Sequence, residues 1–233
     1  MAKFGGWIHK YTINDAVEDG MVVPLVYEGR HHELNVNEPP IDRYFDCIAS
    51  TLSDEGKKEL KRKFSRLGIV HKSEQVLFAR AWDISEHFSK NFKGTPFKGL
   101  LVAPGKETAI RYHQIMREIG MITTEVLISP PEMREGVEDV HEEVTGPVQQ
   151  FWKAMMDRFG NSPERYETTL KNQFKKQANP EILIVVDKLL TGFNAPSCIV
   201  LYLSRELKDH TLMQAIARVN RLYEDKEEGY IID

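Results

Sequence analysis

Gln214, Arg218 and Arg221 carry long hydrogen-bond donors at helical spacing within the stretch "LKDHTLMQAIARVNRLY" (207–223). Leu212, Ile216 and Val219 recur at i, i+4 and i+7, which predicts a helix with one buried stripe, capped at its start by Asp209 or Thr211. At roughly 100° per residue, Gln214, Arg218 and Arg221 fall within about 60° of one another on the opposite face. Guanidinium forks match phosphate oxygens bidentately and stay charged at any physiological pH, so an arginine pair presented this way suits a phosphate group. The same spacing also fits a solvated face whose cations complement the helix dipole.

The residues just upstream must position that helix. The run "ILIVV" (182–186) leads into "DKLLTGFNAP" (187–196) and then "CIVLYL" (198–203). Gly192 permits a close backbone approach, Asn194 tolerates a left-handed conformation, and Pro196 extends Ala195. A loop leaving the carboxyl end of a parallel strand is where open α/β sheets bind ligands, although a plain connection uses the same residues.

Elements elsewhere follow one pattern. Runs of strand length occur at 22–27, 99–103, 124–129, 182–186 and 198–203, and their continuous apolar character fits strands buried on both faces. A helical pattern over 106–120 places Ala109, Ile110, Tyr112 and Met116 on one side and stops at Gly120. "VQQFWKAMMDRFG" and "PERYETTLKNQFKKQ" read as two further helices, the second with proline in its first turn. Strands alternating with helices predict an α/β fold with a parallel sheet flanked by helices. Residues 40–92 read instead as helices without a strand. The lysine-rich segment at 57–66 in that region offers a face for phosphate, although a charge run on a short helix is more often a solvated face. The acidic stretch 130–147 reads as an exposed loop, and "GYIID" at 229–233 as a strand cut short.

With 233 residues, 41% of them hydrophobic, the chain can bury a sizeable core. A net charge of −4 and a pI near 6.1 give no whole-chain attraction for nucleic acid, so any DNA contact has to be local. Cys47 and Cys198 are far apart in sequence and form neither a disulfide framework nor a metal-ligand spacing, which favours a reducing cytoplasm. No run reaches the length of a membrane span.

"LLTGFNAP" followed by "LYLSRELKDHTLMQAIARVNR" resembles motifs V and VI of superfamily 2 helicases and translocases, in the form found in the R subunit of type I restriction endonucleases. "FKGLLVAPGKETAIRYH" (97–113) looks like motif IV, and 11–30 looks like the passage from the first motor domain into the second. The resemblance implies a RecA-like sheet, with residues 1–35 as a lead-in carrying a first strand, 36–95 as a helical insertion and 96–233 as the second motor domain, truncated at its end. It also implies that Arg218 and Arg221 face a nucleotide as arginine fingers and that Gln214 helps sense it. Thr191, Gly192 and Asn194 would couple nucleotide to DNA, and Ala103, Pro104 and Lys106 would meet DNA phosphates. Asn194 departs from the aspartate expected of the family.

The implied cofactors are ATP and Mg2+, and the implied partners are double-stranded DNA, the first RecA-like domain and nuclease domain of the same full-length chain, and the modification and specificity subunits of a restriction complex. A phosphate-cradling P-loop, G-x-x-x-x-G-K-[ST], is absent; "APGKET" has Glu where the magnesium-contacting hydroxyl belongs. No D…E-x-K nuclease arrangement is present either. The chain therefore reads as one part of a larger ATP-driven translocase and endonuclease, inactive in isolation. Another superfamily 2 lobe, or a helicase-like module that binds DNA or protein without ATP coupling, are the competing expectations.

Overall fold

The computed structural model describes residues 10–29, 72–131, 146–189 and 193–233. In chain order these form α1 (Ile13–Glu18), β1 (Leu25–Glu28), α2 (Lys72–Asn91), β2 (Lys98–Val102), α3 (Lys106–Ile119), β3 (Thr124–Leu127), α4 (Gly146–Arg158), α5 (Pro163–Lys176), β4 (Ile182–Val185), β5 (Cys198–Leu203), α6 (Asp209–Val219) and β6 (Gly229–Ile232).

The six strands make one sheet in the order β1-β6-β5-β2-β4-β3, and every neighbouring pair is parallel. Burial follows position in the sheet. The interior strands β2, β4 and β5 are buried at every residue, whereas the edge strand β1 has three exposed residues out of four. Parallel strands covered by helices on both faces have no room for alternating polar positions, which explains the unbroken apolar runs.

Alternate residues feed two cores. Leu101, Ala103, Ile184 and Tyr202 pack with Phe78, Phe88 and Trp82 of α2 and with Ala109, Tyr112 and Met116 of α3. Leu100, Val102, Leu183 and Leu201 point the other way, toward Tyr166, Leu170 and Phe174 of α5 and Ala215 and Val219 of α6. The result is a three-layer α/β/α arrangement.

Several expected boundaries hold. Helix α3 ends at Gly120, whose φ of 71° is the left-handed cap that glycine supplies without a side-chain clash. Helix α5 starts from Ser162, whose hydroxyl accepts from the Arg165 amide, with Pro163 in the first turn.

Others move. The part of the expected 36–95 insertion that is described, α2, belongs to the core layer, because Phe88 and Ala81 are fully buried against the sheet. Apolar residues on one face of a helix do not reveal which sheet that face will cover. The strand expected at 22–27 is β1 at 25–28, and it shares the sheet with the rest of the fold. The 229–233 stretch is an interior strand, paired with β1 on one side and β5 on the other. The expected face at 57–66 and most of the acidic loop lie outside the described residues.

Candidate functional site

Helix α6 follows β5 at the carboxyl edge of the sheet and runs back toward the amino edge. Its N-cap position is Lys208, with extended backbone and no side-chain cap, rather than Asp209 or Thr211. The buried stripe is Ala215 and Val219, fully enclosed, flanked by the partly buried Leu212 and Ile216. The far end of the helix is fixed by its neighbours. The Asn220 carbonyl accepts from the Val23 amide at 2.8 Å. A Cβ on Gly229, the first residue of β6, would lie 2.2 Å from the Val219 carbonyl oxygen, so only glycine lets strand and helix meet there.

This anchoring brings Arg218 and Arg221 against the segment that precedes β5. Arg218 Nη1 donates to the Phe193 carbonyl, and its Nε donates to Gln214 O at 3.2 Å. Arg221 Nη1 donates to Asn194 Oδ1, and its Nε donates to Ala217 O at 3.2 Å. The acceptors in these four bonds are neutral oxygens, and the bonds orient the guanidiniums. Burial, and after it the neighbouring Arg221 cation, disfavours the Arg218 charge. Gln214 sits one turn away, with its Nε2 at 3.2 Å from His210 Nε2. Gln214 and Arg218 lie one turn apart on α6, whereas Arg221 falls two residues beyond the end of the helix; all three are half-buried rather than fully exposed.

The segment is held from below as well. Phe193 is 4% exposed, packs on Phe174 at 6.1 Å between ring centroids, and carries the Lys175 ammonium 4.8 Å above its ring. Upstream, Lys188 pairs with Glu167 on α5, which also pairs with Lys171. Thr191 and Gly192 lie outside the described residues.

The motif IV residues stand apart. Ala103 is buried and its amide donates to Val185 O at 2.8 Å, while Pro104 is exposed at the carboxyl edge. Lys106 is 3% exposed, with Nζ 3.0 Å from the Pro130 carbonyl. Its ammonium is turned inward to cap a backbone oxygen, whereas its place in the sequence suggested an outward phosphate contact. Strands of four to six residues, about 13–20 Å long, lie between this edge and the one where Arg218 and Arg221 sit.

Sequence reasoning missed the groups that organise both edges. At the carboxyl edge, Ser204 Oγ lies 2.5 Å from Tyr112 Oη and accepts from Arg80 at 3.4 Å, and Arg205 pairs with Asp187. At the amino edge, Lys226 is buried although it stands in the acidic run "EDKEEG". No local pattern marks it, since its partners come from residues 196–198.

The family described as type I restriction enzyme subunit R domain 3 matches residues 95–233, and the SWI2/SNF2 ATPase family matches residues 1–58. Similar proteins include the type I restriction enzyme HindI endonuclease subunit of Haemophilus influenzae, 30% identical over 99% of this chain and 21% of the relative. Another, named as the MjaIXP endonuclease subunit of a type I restriction enzyme in Methanocaldococcus jannaschii, is 32% identical with the same coverage. The chain thus spans about a fifth of the length of these relatives. Among solved structures, a fragment described as an HsdR subunit from Vibrio vulnificus aligns over 99% of this chain and 35% of its own, with a TM-score of 0.57 at 16% identity. The ATP-dependent Type ISP restriction-modification enzyme LlaBIII, bound to DNA, aligns over 96% and 13%, with a TM-score of 0.51 at 14% identity. These likenesses make the fold RecA-like, as the motif resemblance implies. With β2 to β6 and the arginine helix inside the 95–233 match, the chain belongs to the type I restriction enzyme subunit R family.

Proposed function

We propose that this chain is the second RecA-like motor lobe of the ATP-dependent, DNA-translocating restriction subunit of a type I restriction-modification enzyme. The observation that carries the proposal is the junction of Arg218 and Arg221 with Phe193 and Asn194: two guanidiniums held side by side by neutral acceptors, on the segment that continues from the glycine loop. A pre-oriented pair of this kind stabilises charge that develops on a transferring phosphoryl group, because the positive ends need not reorganise in the transition state.

In this proposal Arg218 and Arg221 reach ATP held by the preceding motor domain, with Gln214 beside them. The P-loop and the acidic group that would hold Mg2+ belong to that domain, since the sequence here contains no P-loop. Thr191, Gly192 and Asn194 transmit the nucleotide state to the DNA track. Ala103 and Pro104, at the carboxyl edge, offer backbone to DNA phosphates, with Lys106 supporting the turn from within. The lead-in, the insertion and the motor domain are proposed as parts of one lobe, working in the cytoplasm with duplex DNA, the nuclease domain, and the modification and specificity subunits. Among the described residues no helix is long and apolar enough to cross a membrane.

The test uses the full-length subunit. Arg218→Ala and Arg221→Ala should each lower DNA-stimulated ATP turnover by about 10³ to 10⁵ while leaving nucleotide affinity nearly unchanged. The chain on its own should hydrolyse no ATP. Near-normal turnover in both variants would refute the finger assignment.

A further inference from the structure

Lys226 is the one lysine of the acidic turn between α6 and β6, and the structure hides it: the residue is 6% exposed. Its Nζ donates to Pro196 O at 3.1 Å and to Cys198 O at 2.7 Å. Both acceptors are backbone carbonyls at the entrance to β5, and the intervening turn is closed by the Cys198 amide on Ala195 O at 3.0 Å. Burial is the main influence on the ammonium and draws it down to about 8, with Arg221 adding repulsion. A solvated lysine in this turn would carry neither cost.

The connections form a closed ring. Arg221 holds Asn194, two residues before Pro196; Pro196 and Cys198 hold Lys226; and Lys226 returns to Arg221 through the short turn in which its own amide donates to Tyr223 O at 3.1 Å. Arg218 joins at Phe193, one residue further along. Without the ammonium, segment 193–198 keeps the Lys98 amide on Ser197 O at 2.9 Å but loses the hold on Pro196 O, the tethered carbonyl nearest to Asn194.

We infer that Lys226 is a positioning residue for the arginine pair, pinning the Pro196 and Cys198 carbonyls so that Asn194 presents Arg221 to the polyphosphate of a bound nucleotide. The inference rests on the nucleotide-facing role given above to Arg218 and Arg221. A displacement of about 1 Å at a reacting centre can cost about a hundredfold in rate. Lys226 should therefore act on turnover more than on affinity.

The experiment compares Lys226→Met, Arg221→Ala and the double variant in the full-length subunit, by steady-state ATP turnover with DNA and by hydrogen exchange of the amides in 193–198. Lys226→Met should lower kcat by about tenfold to a hundredfold with KM changed less than about threefold, and should speed exchange in 193–198. The double variant should turn over no more slowly than Arg221→Ala alone, because both changes disable one unit. If Lys226→Met does not fold, Lys226→Gln, which keeps an amide donor for the carbonyls, carries the test with a smaller loss in the same direction. Normal turnover in Arg221→Ala would overturn the nucleotide-facing role and this inference with it. Loss in Arg221→Ala beside normal turnover in the Lys226 variant would overturn the inference alone, as would a fall in affinity that accounts for the whole fall in turnover.

Discussion

Arg221 Nη1 donates to Asn194 Oδ1 across 27 positions of sequence, and this bond ties the segment before β5 to the residues just past α6. A hydrogen bond to a charged group contributes about 1.5–3 kcal/mol where it is shielded and less at a surface. Asn194→Ala should therefore leave the fold intact yet lower DNA-stimulated turnover in the full-length subunit by roughly tenfold. Asn194→Asp keeps the acceptor and adds a charge, and it should raise the unfolding free energy of the chain by up to about 1 kcal/mol, as expected of a partly exposed pair. Turnover by Asn194→Ala equal to that of the parent would show that the bond couples nothing.

Gly229 tests how tightly that end of α6 is seated. An alanine Cβ would lie 2.2 Å from the Val219 carbonyl oxygen and 3.2 Å from Leu25 Cδ2, and the first of these is backbone that cannot swing aside. Overpacking of this kind costs about 1–3 kcal/mol. Gly229→Ala should lower the melting temperature by several degrees, and a melting point unchanged from the parent would mean that strand and helix separate freely.

Lys226 makes the stability of the chain depend on pH in a set direction. Its folded-state value of about 8 lies below the 10.5 of the free side chain, so between those values the unfolded chain binds more protons and stability rises with pH. The cost of the buried charge is complete below about pH 8 and amounts to about 3 kcal/mol at most. Of the groups facing it, the Cys198 thiol is pushed up to about 12 by burial and stays neutral through this window. Urea unfolding of the parent and of Lys226→Met at about pH 7 and about pH 10 isolates the effect. The parent should gain on the variant as pH rises, and a difference that stays flat would contradict the burial.

Lys106 provides a negative control for DNA contact. Because its ammonium meets the Pro130 carbonyl inside the fold, Lys106→Met should destabilise the chain without altering the salt dependence of DNA binding by the full-length subunit. Loss of a phosphate contact would instead reduce the slope of log affinity against log salt by about one. A reduced slope in this variant would show that Lys106 turns outward when DNA is bound.

Local pattern alone was enough to locate the interior of the sheet and the helix faces. The unbroken apolar runs of β2, β4 and β5 required two covered faces, and Gly120 marked the end of α3. Each of these depends on residues within a few turns of one another, where periodicity and steric preference act directly. The motif resemblance supplied the RecA-like family in the same way, from contiguous residues.

Tertiary structure decided what those residues touch. That Arg221 finds Asn194, that Lys226 leaves an acidic turn to reach Pro196 and Cys198, that Lys106 turns inward, and that β6 slips between β1 and β5 all depend on partners distant in sequence. A charged side chain carries no mark of whether its partner is water, a phosphate or a buried carbonyl. The outcome is set by desolvation against the hydrogen bonds available at its folded position, and that position exists only once the strands have paired.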